Sequence, residues 1–442
     1  MTEHVQLANL DDRTALSGKS ILIVVENLPV PFDRRVWQEA LALVGAGAEV
    51  TVICPKGRGY EADHEVLEGV NVYRHSLPAE GNSVIAYLCE YAVALFHETR
   101  LAWRAYFQGG FDAIHACSPP DLIFLVALPF KLIGKKFVFD HHDVSPELYE
   151  AKFNRRGFWW RLLVLFERLT FFFADAVIST NESYRKVAYE RGRKRPDRVF
   201  VVRSAPDLRR LRVMPVNPSW KNGRQYLVGF VGVIGEQEGI DLLLASAQHI
   251  VRDLKRTDIQ FVLVGDGPGR IRMEALSIEM GLQDYVMFLG RAPDEQLFSV
   301  LSSADVCVNP DRVNPMNDLS TMNKILEYMA MRKPIVQYDV VEGRVSAAGA
   351  SLYAKSNDPI DFGDKIVELL ADPIRRELAG EIGRSRIENE LSWAHQSPKL
   401  IAAYKTLFAP PVAQPRASFR SRYAPPSGEV GSAAIAPERN LR

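Results

Sequence analysis

Short runs of β-branched residues alternate with longer segments of helical period twice along this chain, and a stretch without period separates the two series. Two parallel strands need a crossover long enough to bring the chain back, and a helix supplies it, so this alternation predicts parallel βαβ units. In the first series strands are expected at Ser20–Val25, Glu49–Cys54, Val70–His75, Asp112–Ala116, Lys136–Asp140, Ala176–Ser179 and Val199–Val202. Helices are expected between them, notably at Arg34–Val44, Ser83–Phe107 and Phe158–Phe173. From Ser204 to Arg224 the period is lost and Pro206, Pro215, Pro218 and Gly223 gather, as in an interdomain linker. The second series predicts strands at Tyr226–Val231, Gln260–Val264, Tyr285–Phe288, Val306–Val308, Pro334–Gln337 and Ser351–Ala354. Its helices are expected at Ile240–Leu254, Arg270–Met280, Asp294–Ser302, Met322–Met331 and Ile360–Leu370. A chain of 442 residues also exceeds the roughly 250–300 at which a single core stops growing, so two domains are expected.

The expected division is a flexible N-terminus over 1–17, an α/β domain over 18–205, a linker over 206–225 and a second α/β domain over 226–392. A C-terminal helix over 393–408 should pack back toward the first domain. The Pro-, Ala-, Ser- and Arg-rich residues 409–442 should be disordered. With 54 basic against 54 acidic residues, no overall field attracts nucleic acid. Cys54, Cys89, Cys117 and Cys307 lack CxxC spacing and read as reduced core residues, which favours a cytoplasmic location. The first 17 residues hold no apolar run that would serve as a signal peptide, and Leu122–Ile133 and Leu162–Phe173 are too short to span a bilayer. The helix Phe158–Phe173, preceded by Lys152, Arg155 and Arg156, reads first as a core helix with charged flanks and second as a peripheral contact with the inner membrane.

In paired open sheets, ligands bind beyond the carboxyl ends of the strands, so the chemistry is expected on strand-to-helix loops. One such loop is Gly265-Asp266-Gly267-Pro268-Gly269, where glycines permit close backbone approach and the next helix offers unpaired N–H groups. A second, Gly232 to Gly239, includes Gly235 and suits a diphosphate held by backbone amides. Its spacing is neither a dinucleotide fingerprint nor a P-loop. The densest polar cluster runs from Asn309 to Glu327. It contains Asp318, Ser320, Thr321, Asn323 and Lys324, with Ser320 or Thr321 as the expected helix cap. Lys324 and Glu327 stand three apart, which allows a cation for phosphate and a carboxylate for ribose on one face; a surface ion pair is the plainer alternative.

In the first series, Asp140-His141-His142-Asp143 closes a strand ahead of Pro146-Glu147. Adjacent histidines on a strand point to opposite faces and chelate one ion poorly, so no metal site is expected. One histidine contacting substrate, oriented by Asp140 or Asp143, is the better reading. Asp33 should cap the helix that Arg34 and Arg35 begin, and those arginines either face the cleft or are solvated.

On these residues the chain resembles the retaining glycosyltransferases of family four, which have the GT-B fold, an α/β architecture of two facing Rossmann-like domains. The resemblance is carried by Asn323-Lys324-Ile325-Leu326-Glu327-Tyr328-Met329-Ala330 followed by Lys333-Pro334-Ile335-Val336, by Gly265-Asp266-Gly267-Pro268, and by Phe288-Leu289-Gly290 with Arg291 behind it. Phe32-Asp33-Arg34-Arg35-Val36 is similar to the family's N-terminal loop, and Asp140 to Glu147 resembles bacterial exopolysaccharide and O-antigen members. The resemblance implies sugar transfer from a UDP- or GDP-sugar to a glycan or lipid-linked acceptor, with retention and without a cofactor. It implies Glu327 on the ribose, Gly265 to Gly267 near the base and Lys324 on the diphosphate. Leu319 stands where the family places a glutamate, and its neighbour Asp318 is expected to take that role beside the donor sugar, with His142 or His141 at the acceptor. Val233 and Glu238 stand where the family has Arg and Lys. A nucleotide-sugar epimerase and a catalytically silent nucleotide-sugar-binding protein are the rival readings, since fold alone does not fix function.

Overall fold

The computed structural model describes residues 13–77 and 84–410, the side chains of 84–90 excepted. The expected disordered tail beyond 410, most of the expected flexible N-terminus and the side chain of Cys89 therefore lie outside what the structure describes. Cys54, Cys117 and Cys307 are free thiols in the interior.

The first sheet has eight strands: β1 (Ser20–Val24), β2 (Glu49–Pro55), β3 (His64–Leu67), β4 (Val70–His75), β5 (Ala113–Cys117), β6 (Lys136–His141), β7 (Ala176–Ser179) and β8 (Val199–Val201). Their order is β3-β4-β2-β1-β5-β6-β7-β8. All neighbours are parallel except β3 and β4. The sequence reading missed β3, a half-exposed edge strand without a β-branched run. It turns into β4 through Glu68 and Gly69, both at positive φ, the conformation that a two-residue hairpin turn of matching twist demands.

The second sheet has six parallel strands: β9 (Tyr226–Val231), β10 (Ile259–Val264), β11 (Val286–Gly290), β12 (Val306–Asn309), β13 (Ile335–Tyr338) and β14 (Ser351–Ala354), in the order β11-β10-β9-β12-β13-β14. β10 and β12 are wholly buried because helices cover both faces. Connections reverse direction between β1 and β5 in one sheet and between β9 and β12 in the other. A doubly wound sheet opens its crevice at such a switch point. The glycine turn after β9 and the polar loop after β12 thus stand side by side.

Residues 204–217 are irregular and lead into a short 3₁₀ turn, Pro218–Lys221. The helix Trp393–Phe408 returns to the first sheet, where the Tyr404 hydroxyl lies 2.8 Å from Nδ1 of His115 on β5. Among the described residues no helix is long and apolar enough to cross a membrane.

Candidate active site

The switch point of the second sheet is built mainly from backbone. The turns after β9 and β10 are laced together: Gly232 N donates to Val264 O (3.0 Å), Ile234 N to Asp266 O (3.1 Å) and Gly269 N to Ile234 O (2.8 Å). Gly265 N donates to Gly290 O at 2.8 Å, which ties in β11, and Arg312 N donates to Gln237 O at 3.1 Å, which ties in the loop after β12. Glycine is required here by contact as well as by dihedral. A Cβ on Gly265, at φ +149°, would lie 1.7 Å from Gly232 O, and one on Gly267 would lie 2.7 Å from Ile234 O.

Lys324, one residue into the helix Asn323–Ala330, reaches back into this junction. Its Cε would stand 3.1 Å from a Cβ on Gly232, and its Nζ donates to Asp311 Oδ1 at 2.7 Å. Burial raises the Asp311 carboxyl, with Lys324 pulling it down, and burial raises Glu238 in the same way. The Lys324 ammonium therefore faces two carboxylic groups whose environments favour the neutral form.

Glu327 lies one turn further along and is 16% exposed. Its Oε1 accepts from Arg34 Nη1 at 2.9 Å, so the first domain's opening helix touches the second domain's carboxylate. Burial pushes the Glu327 carboxyl upward, against the pull of Arg34 and Arg210. Arg291 stacks its guanidinium over Phe32 at 4.4 Å, a second contact across the same gap. Asp33 caps the first helix through Val36 N at 3.1 Å, as its position predicted.

Beside this junction lies a cavity of about 820 Å³. Gly235, Gln237, Pro268, Arg272 and Arg312 wall it on one side, and Ala151 and Lys152 of the first domain on the other. All three loops singled out from the sequence contribute to it, through Gly235 to Glu238, Pro268 and Gly269, and Arg312 to Asn314, although Gly232, Gly265, Lys324 and Glu327 do not line it. The expected residues outside it gather around the Gly232–Gly265 contact or turn elsewhere.

Several expected residues do turn elsewhere. Neither Ser320 nor Thr321 caps the helix, whose N-cap is Met322, because a short helix, Pro315–Leu319, capped by Asn314, precedes it. Ser320 Oγ lies 3.2 Å from Tyr184 OH, and Thr321 Oγ1 accepts from Asn181 Nδ2 at 3.0 Å, so both dock on the first domain. Asp318 accepts from Val341 N at 3.3 Å. Asp266 is held by its own turn, through Gly267 N and Arg270 Nε at 2.9 Å each. Asn323 is exposed.

In the first domain the two histidines part, as strand geometry requires. His141 is wholly buried, 3.4 Å from Glu167 and ringed by Phe139, Phe171 and Tyr184, which removes it from any substrate. His142 is partly exposed, and its Nε2 makes a short contact with Asp140 and lies 2.8 Å from Arg35 Nε. Arg35, which the sequence left as either cleft-facing or solvated, is buried. It grips Asp140 Oδ1 at 2.9 Å and Oδ2 at 3.3 Å and reaches Glu39 at 2.9 Å. Burial alone would lower the Arg35 pKa, but Asp140 and Glu39 outweigh it and raise it. Burial would also raise Asp140, yet Arg35 and His142 hold it well below the usual carboxylate range. Glu39 goes the other way, raised by burial despite Arg35. His115 with Cys117 and Asp140, and Glu39 with Asp140 and His142, stand close enough to share an ion. The guanidinium already seated on their carboxylates opposes a second cation.

This fold and this junction agree with what the chain is similar to. Residues 33–205 match the family described as Glycosyl transferase 4-like domain, and residues 225–372 match Glycosyl transferases group 1. Both domains are thus similar to glycosyltransferase families, and the paired α/β domains have the GT-B fold. Among curated relatives, alpha-D-kanosaminyltransferase of Streptomyces kanamyceticus is 31% identical over 157 residues, which spans 35% of this chain and 39% of that one. The chain thus spans well under half of that relative's length. Among solved structures, sucrose-phosphate synthase from Thermosynechococcus elongatus aligns with a TM-score of 0.73 at 20% identity, over 88% of this chain and 99% of that one. Anabaena HepE in complex with UDP-glucose aligns with a TM-score of 0.64 at 15% identity, over 88% and 99%.

Proposed function

We propose that the protein transfers a hexosyl or N-acetylhexosaminyl group from a UDP- or GDP-sugar to a polysaccharide-precursor or lipid-linked acceptor, with retention of anomeric configuration and without a metal cofactor. The observation that carries this reading is the junction of three glycine-bearing turns at the switch point with Lys324 and Glu327 on the helix beside it. Packed on one another, these turns bring the carboxyl ends of β9, β10 and β12 together for a diphosphate, and the amides of the Gly232–Gly239 turn that are not spent between the turns supply fixed N–H dipoles where negative charge develops on the leaving group. Lys324 adds a cation to the same oxygens, and Glu327 takes the ribose hydroxyls after releasing Arg34. The solved relative named with UDP-glucose supports this choice of donor class.

On the facing domain His142 meets the acceptor, its ring held by Asp140 and Arg35. Asp318 meets the donor sugar through the oxygen not bonded to Val341 N. The departing diphosphate takes the acceptor hydroxyl's proton as the new glycosidic bond forms and the old one breaks, so no protein nucleophile is required.

Nucleotide release measured over a panel of UDP- and GDP-sugars, with and without a lipid-linked acceptor, tests the reading. Release that depends on acceptor supports transfer. A sugar altered without release shows an epimerase, and neither outcome leaves a binding protein. Glu327→Ala should remove most turnover while the circular dichroism spectrum stays that of the parent; parental activity in that variant takes Glu327 out of the site.

A further inference from the structure

The helix Phe158–Phe173 carries an outward stripe of unusual chemistry. Positions 158, 161, 165, 168 and 172 follow a spacing of three and four, which places them on one side of an α-helix. All five are exposed, and they read Phe, Arg, Leu, Arg, Phe, with exposed Trp159 beside the first. The opposite side, Val164, Glu167, Thr170 and Phe171, is buried in the domain. A helix packed on a core by one stripe normally shows water a polar opposite stripe, often with paired charges. Here Phe158 is 71% and Phe172 74% exposed, no acidic residue interrupts the stripe, and neither Arg161 nor Arg168 forms an ion pair among the described residues.

We propose that this stripe docks the protein on an anionic lipid bilayer. Aromatic and aliphatic side chains interleaved with unpaired arginines suit a surface that is apolar at depth and negative at its headgroups. The five positions span about 21 Å along the helix axis, a long shallow line that fits a plane. A second copy of the chain is a poorer occupant, because a twofold contact would set these arginines against each other. The neighbouring helix Phe124–Leu132 extends the patch: Phe124 stacks on Phe173 at 5.4 Å, while Leu125 and Leu132 remain exposed. The helix Ser145–Phe153, which supplies Ala151 and Lys152 to the cavity wall, leads directly into the stripe, so docking would hold that wall near the bilayer.

Vesicle sedimentation tests this without donor or acceptor, so its outcome is separate from that of the sugar-transfer reading. The full chain should sediment with phosphatidylcholine vesicles containing phosphatidylglycerol and stay in solution with pure phosphatidylcholine, and added salt should weaken the binding. The double variant R161E/R168E should bind roughly thirtyfold more weakly. The double variant L165S/F172S, with its charges intact, should lose roughly tenfold. Both change exposed side chains, and unaltered melting curves would show that they fold. Absence of binding to the anionic vesicles, or equal binding by parent and both variants, overturns the proposal. A parental dimer in sedimentation equilibrium that L165S/F172S dissolves would assign the stripe to a second copy instead.

Discussion

The two halves of this molecule make their sites from different material. The second sheet offers backbone: glycine turns close-packed on each other, with Lys324 and Glu327 added from one helix. The first sheet offers side chains: Arg35, Glu39, Asp140 and His142 in a largely buried network. A backbone site tolerates changes of charge but not of volume, and a buried ionic site tolerates small changes of volume but not the loss of one partner. The contrast predicts opposite kinds of sensitivity in the two halves.

Its strongest test is Gly265→Ala. The added methyl has no room against Gly232 O, and the dihedral disfavours any side chain. A loss of ~3 kcal/mol or more in urea denaturation is expected, together with loss of nucleotide binding. Asp140→Asn comes next, since it leaves the buried Arg35 cation without its main partner at unchanged volume. About 3–5 kcal/mol should be lost, as when one member of a buried pair is removed. Asp140 is depressed in the folded state, so its contribution is present above about pH 4 and disappears as pH falls through the folded value. The gap between parent and variant should therefore close in acid.

Glu39→Gln sharpens the comparison because the same kind of change in the same network should act differently. Burial raises Glu39, so its favourable contribution exists below about pH 4 and is lost as pH rises through the folded value. An amide stands in for the neutral carboxyl, and denaturation curves should show the variant within about 1 kcal/mol of the parent near pH 4, gaining on it as pH rises. The smallest effect is expected for Arg34→Ala. Arg34 is 51% exposed, so its pair with Glu327 is worth less than about 1 kcal/mol to stability. Calorimetry should nevertheless show nucleotide binding tightened a few-fold, because Glu327 no longer has to release Arg34.

The same contrast explains what could be read before the fold was known. Periodicity located every strand but one to within a residue or two, and strand direction alone placed the turns at Gly232 and Gly265 at the carboxyl ends of their strands. Asp33 announced its cap by preceding a helical segment. The exposed strand His64–Leu67 gave no such signal, since its half-polar residues read as loop. Nothing near Ser320 and Thr321 in sequence indicates that Tyr184 and Asn181, well over a hundred positions earlier, would claim their hydroxyls. Arg35 looked like any helix arginine until Asp140 and Glu39 closed over it. Local pattern reports local structure and the ends of strands, whereas the partners of buried charges are set by tertiary packing.

The central claim is that the second half grips an activated sugar through its nucleotide, while the first half serves the acceptor. Titration calorimetry with UDP and GDP on the parent, Glu327→Ala and His142→Ala addresses it most directly. Saturable binding of one nucleotide is predicted, weakened about tenfold or more by Glu327→Ala, which removes charge-assisted hydrogen bonds, and unchanged by His142→Ala. Binding that survives Glu327→Ala intact, or that disappears with His142→Ala, would contradict the account.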